Sequence, residues 1–388
     1  MLFLIFARFY PVDDYGIIIS SFALSNIVIL FFDFGLPIYL QKTIAQDAKA
    51  STDLVYASVK IIFYSFPVYI LISFISFLII YPFFSPLLVI EIVLIIFLSN
   101  FINLFSKILF AKNKFKELFY VQNIIRFAIL LCVFLETLLL DFQIEFSLGF
   151  YLIGNLILTL YLLVFVIKSL QTKYRSIPFK SVIKILKISF PLALAVLFNF
   201  LYDKIDIVLI SKFTNFYETS YYSVGYGLYK SATLVFAFLL IVGLNKASNL
   251  SSNKTALKIL FNKYASLLIF ISIILNLILF FGGGTIISII YTDKFAASDF
   301  VIKILSFAVL GISLNNLTGV ILNGIGDFKG NMYVTLIGLV INVLLNLIFI
   351  PQYGIAAAAV ITLITEYFIF FGGYYLLNKH WREAPAQA

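Results

Sequence analysis

A chain of 388 residues that is 63% hydrophobic and only 12% charged departs from the roughly 45–50% apolar, about 25% charged make-up of soluble domains, which excludes a soluble enzyme and puts the chain in a membrane. Its net charge of +9 comes mostly from particular gaps between apolar runs, a placement that orients helices in a bilayer better than it marks a nucleic-acid surface. Cys132 is the one cysteine and His380 the one histidine, which excludes an internal disulfide and a cysteine cluster and leaves a histidine metal site or triad without support.

Strands of alternating polarity are absent, so the spans are helices. The start, "MLFLIFARFY", has neither a basic leader region nor a small-residue cleavage site and reads as a helical stub. Counting that stub as the first, the remaining spans are Gly16–Leu40, Leu54–Ile80, Leu87–Phe110, Leu118–Leu140, Phe146–Leu170, Ile185–Phe213, Tyr217–Leu244, Tyr264–Tyr291, Phe300–Asn323, Asn331–Ile350 and Ile355–Leu377, twelve segments in all. About ten residues at 1.5 Å each cannot cross roughly 30 Å of hydrocarbon, so the first helix is expected to be truncated.

Lysine and arginine alternate between the gaps. Eighteen fall in one set of loops, and only Lys212, Lys294 and Lys303 fall in the opposite set. Positive charge marks the cytoplasmic side, which places both termini there and agrees with an even number of spans. The densest basic stretch, "KSLQTKYRSIPFKSVIKILK", runs from Lys168 to Lys187 around the helix-breaking Pro178. It divides the chain into a lobe at 1–170, a cytoplasmic linker at 171–184 and a lobe at 185–388. Basic segments of this kind also attract anionic lipid headgroups.

Internal echoes agree with that division. "KFKELFYV" at Lys114 returns as "DFKGNMYV" at Asp327, a shift of 213; "VYASVKIIF" at Val55 pairs with "KYASLLIFI" at Lys263, a shift of 208; and "DDYGIIISS" lies opposite "SYYSVGYGL" at about 206. Three ordered matches at nearly one spacing imply two six-helix pseudo-repeats in parallel orientation.

A charge inside a span costs at least about 2.5 kcal/mol at the bilayer centre unless it faces protein or water. The charges so placed are Lys60, Glu91, Arg126, Asp203, Lys204, Asp206, Lys230 and Glu366, with Asp33 near a helix end. Arg126 suits a phosphate through its forked guanidinium; for Lys60, snorkelling and cavity lining are equal readings. Lys204 and Lys230 complete the candidate cationic set. In "YDKID", Asp203 and Asp206 share a helix face, with Lys204 turned about 100° from Asp203. Asn342 and Asn346 share a face of the eleventh span, and Thr362 and Thr365 follow on the twelfth. These oxygens suit a sodium ion or a proton relay together with an aspartate, and plain interhelical hydrogen bonding is the competing reading. Pro37, Pro67, Pro191 and Gly282–Gly284 are either hinges or fixed kinks. "IPQYGIAAAA" reads as a tight helical hairpin, with Pro351 and Gly354 turning the chain and Ala356–Ala359 allowing close contact.

The region "LNGIGDFKGNMYVTLIGLVINVLLNLIFIPQYGIAAAAVITLITE", together with "SFPLALAVLFNFLYDKIDIVLISKF" and "YPVDDYGIIISSFALSNIVILFFDFGLPIYL", resembles the polysaccharide-export flippases of the multidrug/oligosaccharidyl-lipid/polysaccharide superfamily. The resemblance implies an all-α, polytopic, MATE-like membrane protein of two six-helix lobes around a cavity that opens to each face in turn. It implies a flippase for undecaprenyl-pyrophosphate-linked O-antigen or capsule units, as in lipopolysaccharide synthesis, in a bacterial inner membrane. No cofactor is expected beyond coupling to sodium or protons. The implied partners are the lipid-linked sugar, membrane lipids, a polysaccharide polymerase and a chain-length regulator. A cation-coupled multidrug exporter is the alternative within the superfamily, and a membrane-embedded polymerase or acyltransferase is the alternative outside it. The short external gaps leave that enzyme little room for acid-base groups.

Overall fold

A backbone in hydrocarbon has no water to satisfy its N–H and C=O groups, so long apolar runs without alternation must close their hydrogen bonds within helices. The computed structural model describes residues 2–46, 51–139, 144–170, 179–250 and 253–382, and among these there are helices and no strand. The helices are α1 (Leu2–Phe9), α2 (Val12–Asp33), α3 (Leu36–Gln46), α4 (Ser51–Ile80), α5 (Pro86–Ala111), α6 (Phe115–Leu139), α7 (Ile144–Ser169), α8 (Phe179–Phe213), α9 (Phe216–Asn249), α10 (Lys254–Tyr291), α11 (Ser298–Gly324) and α12 (Phe328–Arg382), with a 3₁₀ turn at Asp293–Phe295 before α11. Ten of them are long and apolar enough to cross a membrane, which makes this an all-α multi-pass membrane protein. Most of the expected linker, including Pro178, lies outside the described residues, as does Leu140.

The expected span Gly16–Leu40 is two helices. Phe34 and Gly35 both take positive φ, 52° and 69°, and end α2. Asp33 fixes the turn by accepting a hydrogen bond from the Gly35 amide at 2.9 Å. A side chain at residue 35 would bring its Cβ within 2.5 Å of the Ser189 carbonyl oxygen and 2.6 Å of the Ala193 nitrogen, so glycine is required both by conformation and by the approach of α8. Pro37 follows in the first turn of α3, where a missing N–H is harmless. Pro67 and Pro191 lie inside α4 and α8, which run on as helices past them.

The expected hairpin is present. α12 reverses at Gly354, whose φ of 55° and ψ of −139° belong to a region open only to glycine. Each arm is long enough, at about 1.5 Å per residue, to cross about 30 Å. The arms run antiparallel: Gly338 lies against Ile369 and Gly372 against Val334. Ala357, Ala358 and Ala359 are buried beside the turn, where small residues let helices approach closely.

By its internal packing the chain forms two compact units, Met1–Lys204 and Ile205–Ala388. In the first, α5 is central and packs on α2, α3 and α7; in the second, α11 is central and packs on α9, α10 and α12. These two helices begin 212 residues apart, in keeping with the repeat. Their buried faces are dense with Ile92, Ile96, Phe105 and Leu109 in α5 and with Val301, Leu305, Ala308 and Leu317 in α11. Packing of this kind, more than hydrophobic transfer, holds helices together in lipid. Outward-facing Phe63, Phe270 and Phe281 supply the apolar exterior. Outside the spans, Lys112 donates to the Ser169 carbonyl at 2.7 Å, tying the end of α5 to the end of α7, and burial lowers its ammonium pKa from the ordinary lysine value.

Candidate functional site

Three helices of the second unit bring polar side chains to one buried point. α8 supplies Asp206, 2% exposed; α9 supplies Tyr222; and the two arms of α12 supply Asn342 and Asn346, then Thr362 and Thr365. The spacing explains the grouping, because residues four apart (342 and 346) or three apart (362 and 365) share a helix face. The hairpin at Gly354 turns those two faces toward each other.

Asp206 accepts three hydrogen bonds. Asn346 Nδ2 donates to Oδ1 at 2.8 Å, and Tyr222 Oη and Thr362 Oγ1 donate to Oδ2 at 2.8 and 3.2 Å. A second tier supports the first: Asn346 Nδ2 also reaches Asn342 Oδ1 at 3.1 Å, and Asn342 Nδ2 reaches Thr365 Oγ1 at 3.4 Å. Thr365 in turn donates to the Ile361 carbonyl at 2.8 Å. Asn346 Oδ1 is buried and has no hydrogen-bond partner. That orphaned oxygen, the carboxylate, Asn342 Oδ1 and the Thr362 hydroxyl make an all-oxygen donor set, which fits a hard cation such as sodium.

The two aspartates of "YDKID" have different surroundings. Asp203 pairs with Lys204 at 3.1 Å, and both side chains are about one third exposed, 29% and 33%. Adjacent helical residues point about 100° apart, yet these two side chains are long enough to swing together. Lys230 stands over the rings of Tyr226 and Tyr229, 5.4 and 6.0 Å from their centroids. Tyr226 in turn stacks on Tyr222 at 5.6 Å.

In the first unit, Arg126 of α6 lines a cavity of about 750 Å³ with Ser99, Asn103, Gln122, Asn123 and Asn155, its apolar wall including Leu2 and Phe127. Gln122 Nε2 is held by Ser106 Oγ at 2.7 Å. One guanidinium among amides and hydroxyls suits an anion joined to a hydroxyl-rich group. Of the expected cationic set only Arg126 lines this cavity; Lys60, Lys204 and Lys230 do not, and Lys60 is exposed on α4.

With that geometry in place, comparison with known proteins is informative. The polysaccharide biosynthesis protein family matches residues 5–299. The chain belongs to that family. Two uncharacterized membrane proteins of Methanocaldococcus jannaschii are similar to parts of this chain. One is 30% identical over 200 residues, 50% of this chain and 46% of that one; the other is 32% identical over 94 residues, 24% of this chain and 18% of that one. The chain thus spans less than half the length of either. Among solved structures, the inward closed conformation of the lipid II flippase MurJ matches 97% of this chain and 84% of its own with a TM-score of 0.75 at 16% identity. An outward-facing multidrug resistance MATE transporter matches 95% and 89% with a TM-score of 0.59 at 12% identity. At such identities the likeness is one of fold.

Sequence reasoning missed Tyr222. It lies 16 residues beyond Asp206 on the next helix, a separation with no helical meaning, and the only available signal was its place in "SYYSVGYGL", one of the repeated phrases. Also missed was Asn315, which donates to the buried Glu366 at 2.9 Å and so gives that intramembrane carboxylate a partner.

Proposed function

We propose that this chain is a flippase that carries a polyprenyl-pyrophosphate-linked oligosaccharide, an undecaprenyl-linked O-antigen or capsule unit, from the inner to the outer face of the cytoplasmic membrane by alternating access. The observation that carries the reading is the Arg126 cavity, in which a forked cation is surrounded by amides within the membrane-spanning part of the chain. An anionic headgroup crosses hydrocarbon only with its charge balanced and its hydroxyls hydrogen-bonded, and such a wall offers both. The Asp206 cluster takes a sodium ion or a proton, and its occupancy biases the cavity between its two openings.

The positive-inside asymmetry supports an inner-membrane setting with both termini cytoplasmic. A polysaccharide polymerase and a chain-length regulator are the partners that accompany this proposal. Deleting the gene should trap lipid-linked units on the inner face and remove the surface polysaccharide. In proteoliposomes, the purified protein should expose a fluorescent lipid-linked oligosaccharide to an external quencher faster than empty vesicles do. Intact surface polysaccharide in the deletion strain, with altered drug susceptibility, would assign the chain to multidrug export instead.

A further inference from the structure

Glu91 is an acidic residue in the first unit that the transport reading does not use. It is 8% exposed, and its Oε2 is buried with no hydrogen-bond partner. Leu87 and Glu91, one turn apart on α5, face Glu145, Phe146, Gly149 and Phe150 of α7 across an open cavity of about 240 Å³. Gly149 leaves room beside the carboxylate: a Cβ there would stand 3.5 Å from Glu91 Oε1, in ordinary contact, and a branched side chain would reach further into the groove. Glu145 at the mouth accepts a hydrogen bond from Ser85 at 3.2 Å. Among the described residues, no lysine or arginine forms a salt bridge with either glutamate.

The groove has apolar walls on the outside of the unit. Leu87, Phe146 and Ile153 are each 56% exposed, and in a membrane chain that surface meets acyl chains. Glu91 lies five residues inside α5, about 7.5 Å from its start at about 1.5 Å per residue, at the boundary between headgroups and hydrocarbon. The adjoining turns at residues 10–11 and 81–85 carry no lysine or arginine. An uncompensated carboxylate at such a depth is costly, and a ligand that fits must bring positive charge and hydrocarbon together. A bare inorganic cation would leave the apolar walls unused. A quaternary ammonium has no N–H to donate, whereas a primary ammonium has three.

We propose that this groove binds the primary-ammonium headgroup of a membrane phospholipid of the phosphatidylethanolamine type, with the ammonium between Glu91 and Glu145 and an acyl chain along Leu87, Phe150 and Ile153. The assignment is independent of what the protein transports. It is tested on the purified full chain by native mass spectrometry, titrating phosphatidylethanolamine, phosphatidylcholine and phosphatidylglycerol with identical acyl chains. Phosphatidylethanolamine should be retained about tenfold more strongly than phosphatidylcholine, as charge-assisted hydrogen bonds imply, and Glu91→Gln should abolish that preference while leaving phosphatidylglycerol adducts unchanged. Gly149→Val, which fills the groove and keeps both carboxylates, should also lose the preference and serves where Glu91→Gln does not fold. Equal retention of the two zwitterionic lipids by the native protein, or an undiminished preference in Glu91→Gln or Gly149→Val, would overturn the proposal.

Discussion

Asn346 and Asp206 are separated by 140 residues of sequence and joined by a hydrogen bond of 2.8 Å, the amide of one helix donating to the carboxylate of another. Tyr222 and Thr362 complete the set, so Asp206 is the acceptor on which three donors depend. Removing it takes an acceptor from all three; Asn346 keeps Asn342 Oδ1 at 3.1 Å and Tyr222 keeps Thr362 Oγ1 at 3.4 Å, and each buried donor left unsatisfied costs about 1–3 kcal/mol. Asp206→Ala should therefore lower the melting temperature in detergent by many degrees. Asp206→Asn should stay folded in the membrane but lose ion-dependent transport, because its own amide meets the amide of Asn346. By contrast Asp203→Asn breaks a partly exposed pair worth about 0–1 kcal/mol, and should leave the melting temperature nearly unchanged. Equal melting curves for native protein and Asp206→Ala would remove the cluster from the structural account.

Arg126 offers a separate test in the first unit. Arg126→Ala should abolish complementation of a deletion strain, while Arg126→Lys should retain part of it, since charge survives and the bidentate fork does not. Folding should be little affected in both, because the side chain lies at the surface of a cavity and not in a packed interior. Full complementation by the alanine variant would make Arg126 a lipid-facing or structural residue.

Two glycines carry the turns that position these sites. Gly35→Ala meets both a positive φ of 69° and a backbone oxygen 2.5 Å from the new Cβ, with no flexible side chain to yield. Gly354→Ala meets a φ of 55° with ψ of −139°, but its nearest neighbour is the tip of Glu218, which can move. Backbone strain alone costs about 1–3 kcal/mol at such positions. Gly35→Ala should thus be the more damaging, visible as loss of the monodisperse peak of a fluorescent fusion on size exclusion. A reversed ranking would contradict the seating of the α2–α3 turn on α8.

Much of this architecture was legible in the sequence because membrane helices announce themselves by length and polarity, and because the hairpin at Gly354 combined proline, glycine and small residues in one phrase. The break at Phe34–Gly35 was only hinted at, by Asp33 and Pro37 within the largely apolar run from Gly16 to Leu40, and the tertiary approach of α8 shows why a glycine stands between them. The pairs Asn342 with Asn346 and Thr362 with Thr365 were visible from helical spacing. Tyr222 was not, since its role depends on how α9 is rotated against α8, which packing decides and periodicity in an apolar helix does not report. The Asp203–Lys204 pair was missed because backbone direction was taken to fix the lysine side chain, whose four rotatable bonds let it swing back to Asp203.

The last prediction asks whether the cluster acts as a unit. Asn342 does not touch Asp206; its Oδ1 accepts from Asn346 and its Nδ2 donates to Thr365, so it acts by holding Asn346 in place. Asn342→Ala should weaken the sodium or proton dependence of transport while leaving the maximal rate at saturating ion close to normal, as expected of a residue that positions a ligand. If the two are coupled, Asp206→Asn combined with Asn342→Ala should cost less than the separate losses added together. An interaction of about 0.5–3 kcal/mol is typical within one hydrogen-bond network. Lys303→Ala, which breaks only the Lys303–Asp299 pair at 2.6 Å and has no partner in the network, supplies the control and should add to Asp206→Asn within about 0.5 kcal/mol. Strict additivity in both cycles would mean that Asn342 and Asp206 stabilise the helices independently, and that the second tier of hydrogen bonds has no part in sensing the ion.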